Sequence, residues 1–278
     1  WEPMGPGTVV HDGRVHVWGD GPGTWSGSFL AWLPSAKAGR PGLTLYTDRL
    51  GTVPLYLAVE PRRVLLATSL AAFGRKGFRD PDPLGVQQAL LLGLPHGART
   101  LLDGVELLPP ASEVQVDAVT GEVTVQRYWK PPEPRVEGGN AQPDGAAVDR
   151  FVQLLRQAHE RIPPAGSPVY PVTDGLDSRC NLALAGGGAL EGYLVHCAEQ
   201  RDAETPIARR VARALGRDFQ RVDPARAMRG VVDADPFAET GELATWQWWL
   251  AGVGEWAEGV GDDPMLVDGY LQDVLFNP

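Results

Sequence analysis

The sequence predicts a two-part chain, a strand-rich α+β first half and an α/β second half built on a parallel sheet. Three observations carry that expectation. Residues 1–129 hold short runs of Val, Leu and aromatic residues broken by Gly, Asp and Pro, the punctuation of sheets and hairpins. Residues 130–146, "KPPEPRVEGGNAQPDGA", have no periodic apolar face and read as a linker. From residue 147 to 278, helical and strand patterns alternate, as they do where helices cover a parallel sheet.

Taken in order, "TVVHDGRVHVWGD", "SGSFLAWLP", "LTLYTDRLG", "VPLYLAVE" and "RVLLATSL" read as strands. "DPLGVQQALLLG" has helical composition, with Asp82 placed to cap it and Pro83 at its first position. "SEVQVDAVTGEVTVQRYW" alternates polar and apolar residues around a Thr120-Gly121 turn and predicts a hairpin. Beyond the linker, "AAVDRFVQLLRQAHERI" is an amphipathic helix and "SPVYPV" a short strand. "DSRCNLALAGG" is a helix ended by Gly186-Gly187-Gly188, "EGYLVHCAE" a strand, "ETPIARRVARALG" a helix and "DFQRVD" a strand. "TWQWWLAG" places three tryptophans within four positions. They cannot share one helical face; core packing is the expected use, with an acyl pocket or a partner interface as the alternative. Asp262-Asp263 reads as a solvated loop before Pro264.

Composition excludes several classes of function. The chain of 278 residues is 43% apolar and 22% charged, with a formal charge of −10, which argues against nucleic acid as a partner. No run approaches the length of a transmembrane helix, so no membrane is expected. Cys180 and Cys197 form no CxxC pair, and five scattered histidines lack metal-ligand spacing. Reduced thiols in a cytoplasmic protein are the expectation. No Walker-type GxxxxGK[ST] occurs, and the Gly-rich "WGDGPGTWSG" has no helix after it. The Trp1 start and the "LQDVLFNP" end suggest a piece of a longer polypeptide.

One stretch holds concentrated chemistry. In "PVYPVTDGLDSRCNLALA" a strand is expected to end near Val172 and a helix to start near Asp177, with polar groups crowded about Gly175. Glycine there lets backbone approach a ligand, and the first helical N–H groups point outward with the positive end of the helix dipole behind them. Thr173 and Ser178 add hydroxyls, so the turn suits a pyrophosphate. An equally open reading has Thr173 or Asp174 capping the helix while Asp177 pairs with an arginine.

These residues carry a resemblance. "VTDGLDSR" resembles the pyrophosphate loop of the asparagine synthetase family, usually S-G-G-L-D-S, and "DGYLQDVLF" resembles its second phosphate motif, usually S-G-E-G-x-D-E-L-F. "DRLGTVPLYLAVEPRRVLLATSLAAF" is similar to the end of that family's glutaminase domain. "LGLPHGARTLLDGVELLPPASEVQVDAVTGEVTVQRYW" is similar to the segment leading into its synthetase domain. The resemblance implies a glutaminase-like sandwich of the N-terminal-nucleophile type that lacks its start (1–129). An adenine-nucleotide PP-loop synthetase domain (147–278), C-terminally truncated, would follow. It implies ATP and Mg²⁺ as cofactors, activation of a small-molecule or peptide carboxylate as an acyl-adenylate, and amide formation; a homodimer stays open. By motif match, Thr173, Asp174, Gly175, Asp177 and Ser178 would surround the pyrophosphate. Val172, Cys197, Asp268 and Gly269 would border the nucleotide, and Asp177 with Asp273 would hold magnesium.

The chain also departs from the family. Asp174 stands where a glycine is usual, and two unit charges roughly 4 Å apart at an effective dielectric of 20 repel by ~4 kcal/mol. Arg179 is placed to offset part of that. Tyr270 and Val274 replace glutamates, and no lysine follows Lys130 to match the family's late one. The N-terminal catalytic cysteine is absent, so no glutaminase activity is expected of these residues. Asp48 matches the family's glutamine-holding aspartate or, as readily, is a turn residue beside Arg49. Three functions stay open: an amide-forming ligase like asparagine synthetase, a natural-product or lasso-peptide cyclase of the same family, and a catalytically silent scaffold.

Overall fold

In a computed structural model, described for residues 17–18, 25–27, 29–37, 40–61, 63–133, 145–160, 167–185, 192–197, 203–223, 249–260 and 264–267, the chain forms two compact units. The first comprises the described residues up to 133 and the second those from 145 onward.

Among the described residues of the first unit every strand pairing is antiparallel. Strands β1 (Val17–Trp18) and β2 (Ser26–Gly27) pair with each other. Strands β3 (Leu30–Lys37), β4 (Arg40–Thr47), β8 (Ser112–Asp117) and β9 (Val123–Arg127) form a sheet in the order β3-β4-β8-β9. Strands β5 (Tyr56–Glu60), β6 (Arg63–Ala67) and β7 (Glu106–Leu107) form another in the order β6-β5-β7. The two-residue period of each strand divides its side chains between faces. Leu30, Leu45 and Val114 of the larger sheet meet Leu57 of the smaller one in a shared core with Val53, Leu55 and Leu108. Their neighbours Ala31 and Tyr46 point the other way, to Trp25 and Phe29. Tyr56 and Ala58, on the outer face of the smaller sheet, pack on Leu70, Phe73 and Val105 beneath helix α1 (Ala71–Arg75).

Helix α2 (Pro83–Leu92) starts as its sequence dictates. Asp82 has extended backbone and accepts from the N–H groups of Leu84 (2.9 Å) and Gly85 (3.0 Å), while Arg99 pairs with its other oxygen at 2.6 Å. The β8–β9 turn uses Asp117 in the same way, with its carboxylate accepting from Val119 and Thr120 and with Gly121 at φ 73°.

The second unit is a four-stranded parallel sheet, β12-β11-β10-β13, made of β10 (Ser167–Pro171), β11 (Tyr193–Cys197), β12 (Gln220–Val222) and β13 (Pro264–Leu266). Helices α4 (Leu176–Leu184) and α5 (Thr205–Ala214) cover one face, where Tyr170, Val172 and Leu194 pack on Leu182, Ala208 and Ala212. Helix α6 (Trp249–Glu258) covers the other, with Val253 and Trp256 on Val169, Val195 and Val222. Helix α3 (Gly145–Glu160) joins the first face through His159, whose ring stacks on Tyr170 at 6.1 Å. The chain runs from β10 to β11 to β12 in one direction and then returns to place β13 on the far side of β10. In sheets with such a reversal, ligands bind at the carboxyl ends of the strands that flank it, here β10 and β13.

Boundaries differ from the expectation by a few residues. Helix α3 begins at Gly145, inside the stretch read as linker, because Gly145-Ala146 precede a strongly amphipathic run. Strand β10 ends at Pro171 rather than Val172, since proline has no N–H to donate and the next carbonyl turns to a side chain. Helix α4 starts at Leu176, one residue early, and its C-cap is Ala185, directly before the triple glycine; Gly186 to Gly188 lie outside the described residues.

Candidate functional site

The turn between β10 and α4 is organised by two hydroxyls. The Thr173 Oγ accepts the N–H of Gly175 at 3.1 Å and shares a hydrogen bond with the Ser178 Oγ at 2.8 Å. Ser178 also approaches the Thr173 N–H (3.4 Å) and the Gly175 carbonyl (3.2 Å). Arg179 donates from Nε to that same carbonyl at 3.1 Å. Gly175 is the N-cap of α4, with extended backbone (φ −66°, ψ 152°) and no side chain to reach the helical N–H groups. The capping reading of Thr173 and Asp174 is therefore not met: the N-cap of α4 is Gly175, and among the described residues no side chain caps the helix. Where α2 is capped from within by Asp82, the amino end of α4 is left to whatever lies in front of it.

Burial grades sharply along this turn. Val172 is fully buried, Thr173, Asp177 and Ser178 are half-buried, and Asp174, Gly175 and Leu176 are exposed. Asp174 thus points its charge at water, where screening weakens repulsion toward a bound anion. A β-carbon on Gly175 would lie 3.2 Å from the Thr173 hydroxyl, so glycine keeps that hydroxyl's contact with its own N–H uncrowded.

The remaining predicted residues separate into three groups. Cys197 lies at the carboxyl end of β11, half-buried, and burial with the nearby Asp223 charge pushes its thiol up to about 11. Asp268, Gly269 and Asp273 lie outside the described residues, which reach Val267. The Val267 N–H bonds the Val169 carbonyl of β10 at 2.8 Å. Asp48 belongs to the first unit and is fully buried. One oxygen accepts from the N–H groups of Leu50 (2.9 Å) and Thr52 (3.1 Å). The other accepts from the Thr52 hydroxyl (2.8 Å) and the Val53 N–H (3.2 Å). Four donors organise a turn around that carboxylate, the second of the two uses open to it.

The fit to a phosphate group rests on donor chemistry. Two hydroxyls, the uncapped N–H groups of α4 and the Arg179 guanidinium supply what phosphate oxygens require. For magnesium the described residues offer Asp177 in the first turn of α4. Among the described residues no three His, Cys, Asp or Glu side chains gather as a metal site. A cavity of about 590 Å³ in the first unit includes Asp82, His96, Arg99, Asp103 and Glu106 in its lining and none of the turn's residues. Among the described residues no helix is long and apolar enough to cross a membrane.

Two residues near the turn carry no signal in the sequence pattern, His196 of β11 and Thr205 at the start of α5. The imidazole Nδ1 lies 2.6 Å from the Val172 carbonyl oxygen and its Nε2 3.0 Å from the Thr205 hydroxyl. A histidine inside the apolar run "YLVHC" was the sole trace of them.

No protein-family model matches the chain. A curated protein of Streptomyces clavuligerus, the carboxyethyl-arginine beta-lactam-synthase, is 29% identical over 142 residues. That stretch is 51% of this chain and 25% of the relative, so the chain matches only a quarter of that protein's length. The similarity is to a protein named as a synthase.

Proposed function

We propose that the second unit binds ATP through the Thr173–Arg179 turn and uses it, with magnesium, to activate a carboxylate for amide formation. The observation that carries this reading is the uncapped amino end of α4, flanked by Thr173 and Ser178, at the carboxyl end of a central parallel strand. In the reaction, ATP supplies a leaving group by converting the carboxylate to an acyl-adenylate with release of pyrophosphate. The chain's own residues bind and orient: Thr173, Ser178 and the α4 N–H groups hold the pyrophosphate portion, Arg179 screens its charge, and Asp177 with Asp273 hold the metal. Val172 and Cys197 border the nucleotide, as do Asp268 and Gly269.

The amide's nature is the finer question. A relative named for making a β-lactam, an internal amide, favours a natural-product ring closure over asparagine formation. A catalytically silent scaffold is the second reading, favoured by Asp174, Tyr270 and Val274 at positions where the resembling family has other residues. Calorimetry with MgATP on the full chain tests the proposal. Binding that vanishes on chelation with EDTA is expected, followed by carboxylate-dependent exchange of labelled pyrophosphate into ATP. No heat with MgATP would leave the scaffold reading standing.

A further inference from the structure

A fully buried imidazole in an apolar strand is costly unless both ring nitrogens find partners. His196 is such a residue, with no exposed surface. Its Nδ1 faces the Val172 carbonyl, which only accepts, so Nδ1 carries the proton. Its Nε2 is then the acceptor, and the Thr205 hydroxyl donates to it. Phe219 packs edge-on against the ring at 5.3 Å and fixes its plane.

The carbonyl it holds is the one that matters for the turn. Val172 C=O and Thr173 N–H belong to one planar peptide unit, so orienting the first orients the second. That N–H is directed at the Ser178 hydroxyl, and the Thr173 side chain bonds both that hydroxyl and the Gly175 N–H. Val172 donates its own N–H to the Val195 carbonyl at 2.8 Å. Two consecutive residues of β11, Val195 by its backbone and His196 by its ring, thus clamp the last residue before the turn. Through Thr205 the clamp reaches the first turn of α5.

We infer that His196 is a positioning residue for the phosphate-binding turn, fixing the Val172–Thr173 peptide so that Thr173 and Ser178 face the nucleotide. This rests on the nucleotide reading of the turn. The two nitrogens can be tested apart, because an asparagine amide places a donor where Nδ1 lies and a glutamine amide reaches where Nε2 lies. In MgATP calorimetry on the full chain, His196→Gln is expected to weaken binding about tenfold, the scale of one unmade buried hydrogen bond. His196→Asn should stay within about threefold of the unaltered chain while melting at a temperature similar to that of His196→Gln, since each keeps one of the two bonds. Thr205→Val, a gentler change, should weaken binding about threefold and Thr205→Ser restore it, because the hydroxyl holds the ring in place through its Nε2.

Equal MgATP affinity in His196→Asn and His196→Gln, or weaker binding in His196→Asn, overturns the inference while the nucleotide reading survives. Should either histidine variant fail to fold, unchanged binding in Thr205→Val overturns it instead. An unaltered chain that binds no MgATP overturns the nucleotide reading, and this inference with it.

Discussion

The Thr173 oxygen serves two partners at once, the Gly175 N–H and the Ser178 hydroxyl, so a change that keeps its shape isolates its polarity. Thr173→Val is expected to weaken MgATP binding about tenfold while lowering stability by only about 1 kcal/mol, since the bonds lost are partly exposed. Calorimetry and urea unfolding measure the two effects, and equal affinity with lower stability would make the turn purely structural. Asp48 asks for the opposite pattern. Asp48→Ala strips the acceptor from four donors in a fully buried turn, and a loss of about 3 kcal/mol in urea unfolding is expected. A near-neutral result would instead favour a ligand-holding carboxylate.

Among the elements, α2 shows how a local rule decides where a helix starts. Asp82→Ala removes the cap and should cost about 1 kcal/mol. The Arg99 pair adds little, because its guanidinium sits near the surface. Gly85→Ala pits two effects against each other. Alanine gains about 1 kcal/mol of helix propensity. Its β-carbon, however, would stand 1.9 Å from the Thr100 carbonyl oxygen, and overpacking of that kind costs about 1–3 kcal/mol. Net destabilisation in thermal melting is the expected outcome. The same contrast explains what could be read from residues alone. The start of α2, the β8–β9 turn and the polar bend before α4 obey contacts within five residues, and each was legible. Strand β13 has three residues and no alternation; it exists because β10 offers it a parallel edge, which no local pattern announces. Helix α1, five residues under the smaller sheet, is held by Phe73 in a core of distant partners. His196 stayed hidden for the same reason, since its ring meets Val172, 24 residues away, and Thr205 is tied in only through that ring.

At the scale of the whole chain, both units contain acids that burial keeps protonated. Burial first, and the Asp48 charge next, push the Tyr128 phenol from 10.0 up to about 12. Burial and Asp223 push the Cys197 thiol from 9.0 to about 11. Tyr46 and Tyr170 shift upward too, chiefly through burial. A raised folded-state value means the unfolded chain ionises first. Stability from these groups is therefore complete below about pH 9 and is lost as the pH climbs toward about 12. Melting temperatures taken across that window should fall, and Tyr128→Phe should flatten the decline above about pH 10, where the phenol would otherwise begin to ionise on unfolding. A flat profile in the unaltered chain would contradict the burial of these groups. A different consequence follows from the missing cap of α4. A helix that finishes its own amino end is indifferent to the solution around it, whereas this one has no cap among the described residues and gains from a visitor. Any anion that settles there becomes part of the fold, adding about 2.7 kcal/mol of stability at a hundred times its dissociation constant. A dye-based melt, run across a panel of phosphorylated compounds, could therefore sort physiological ligands from bystanders before any turnover assay exists.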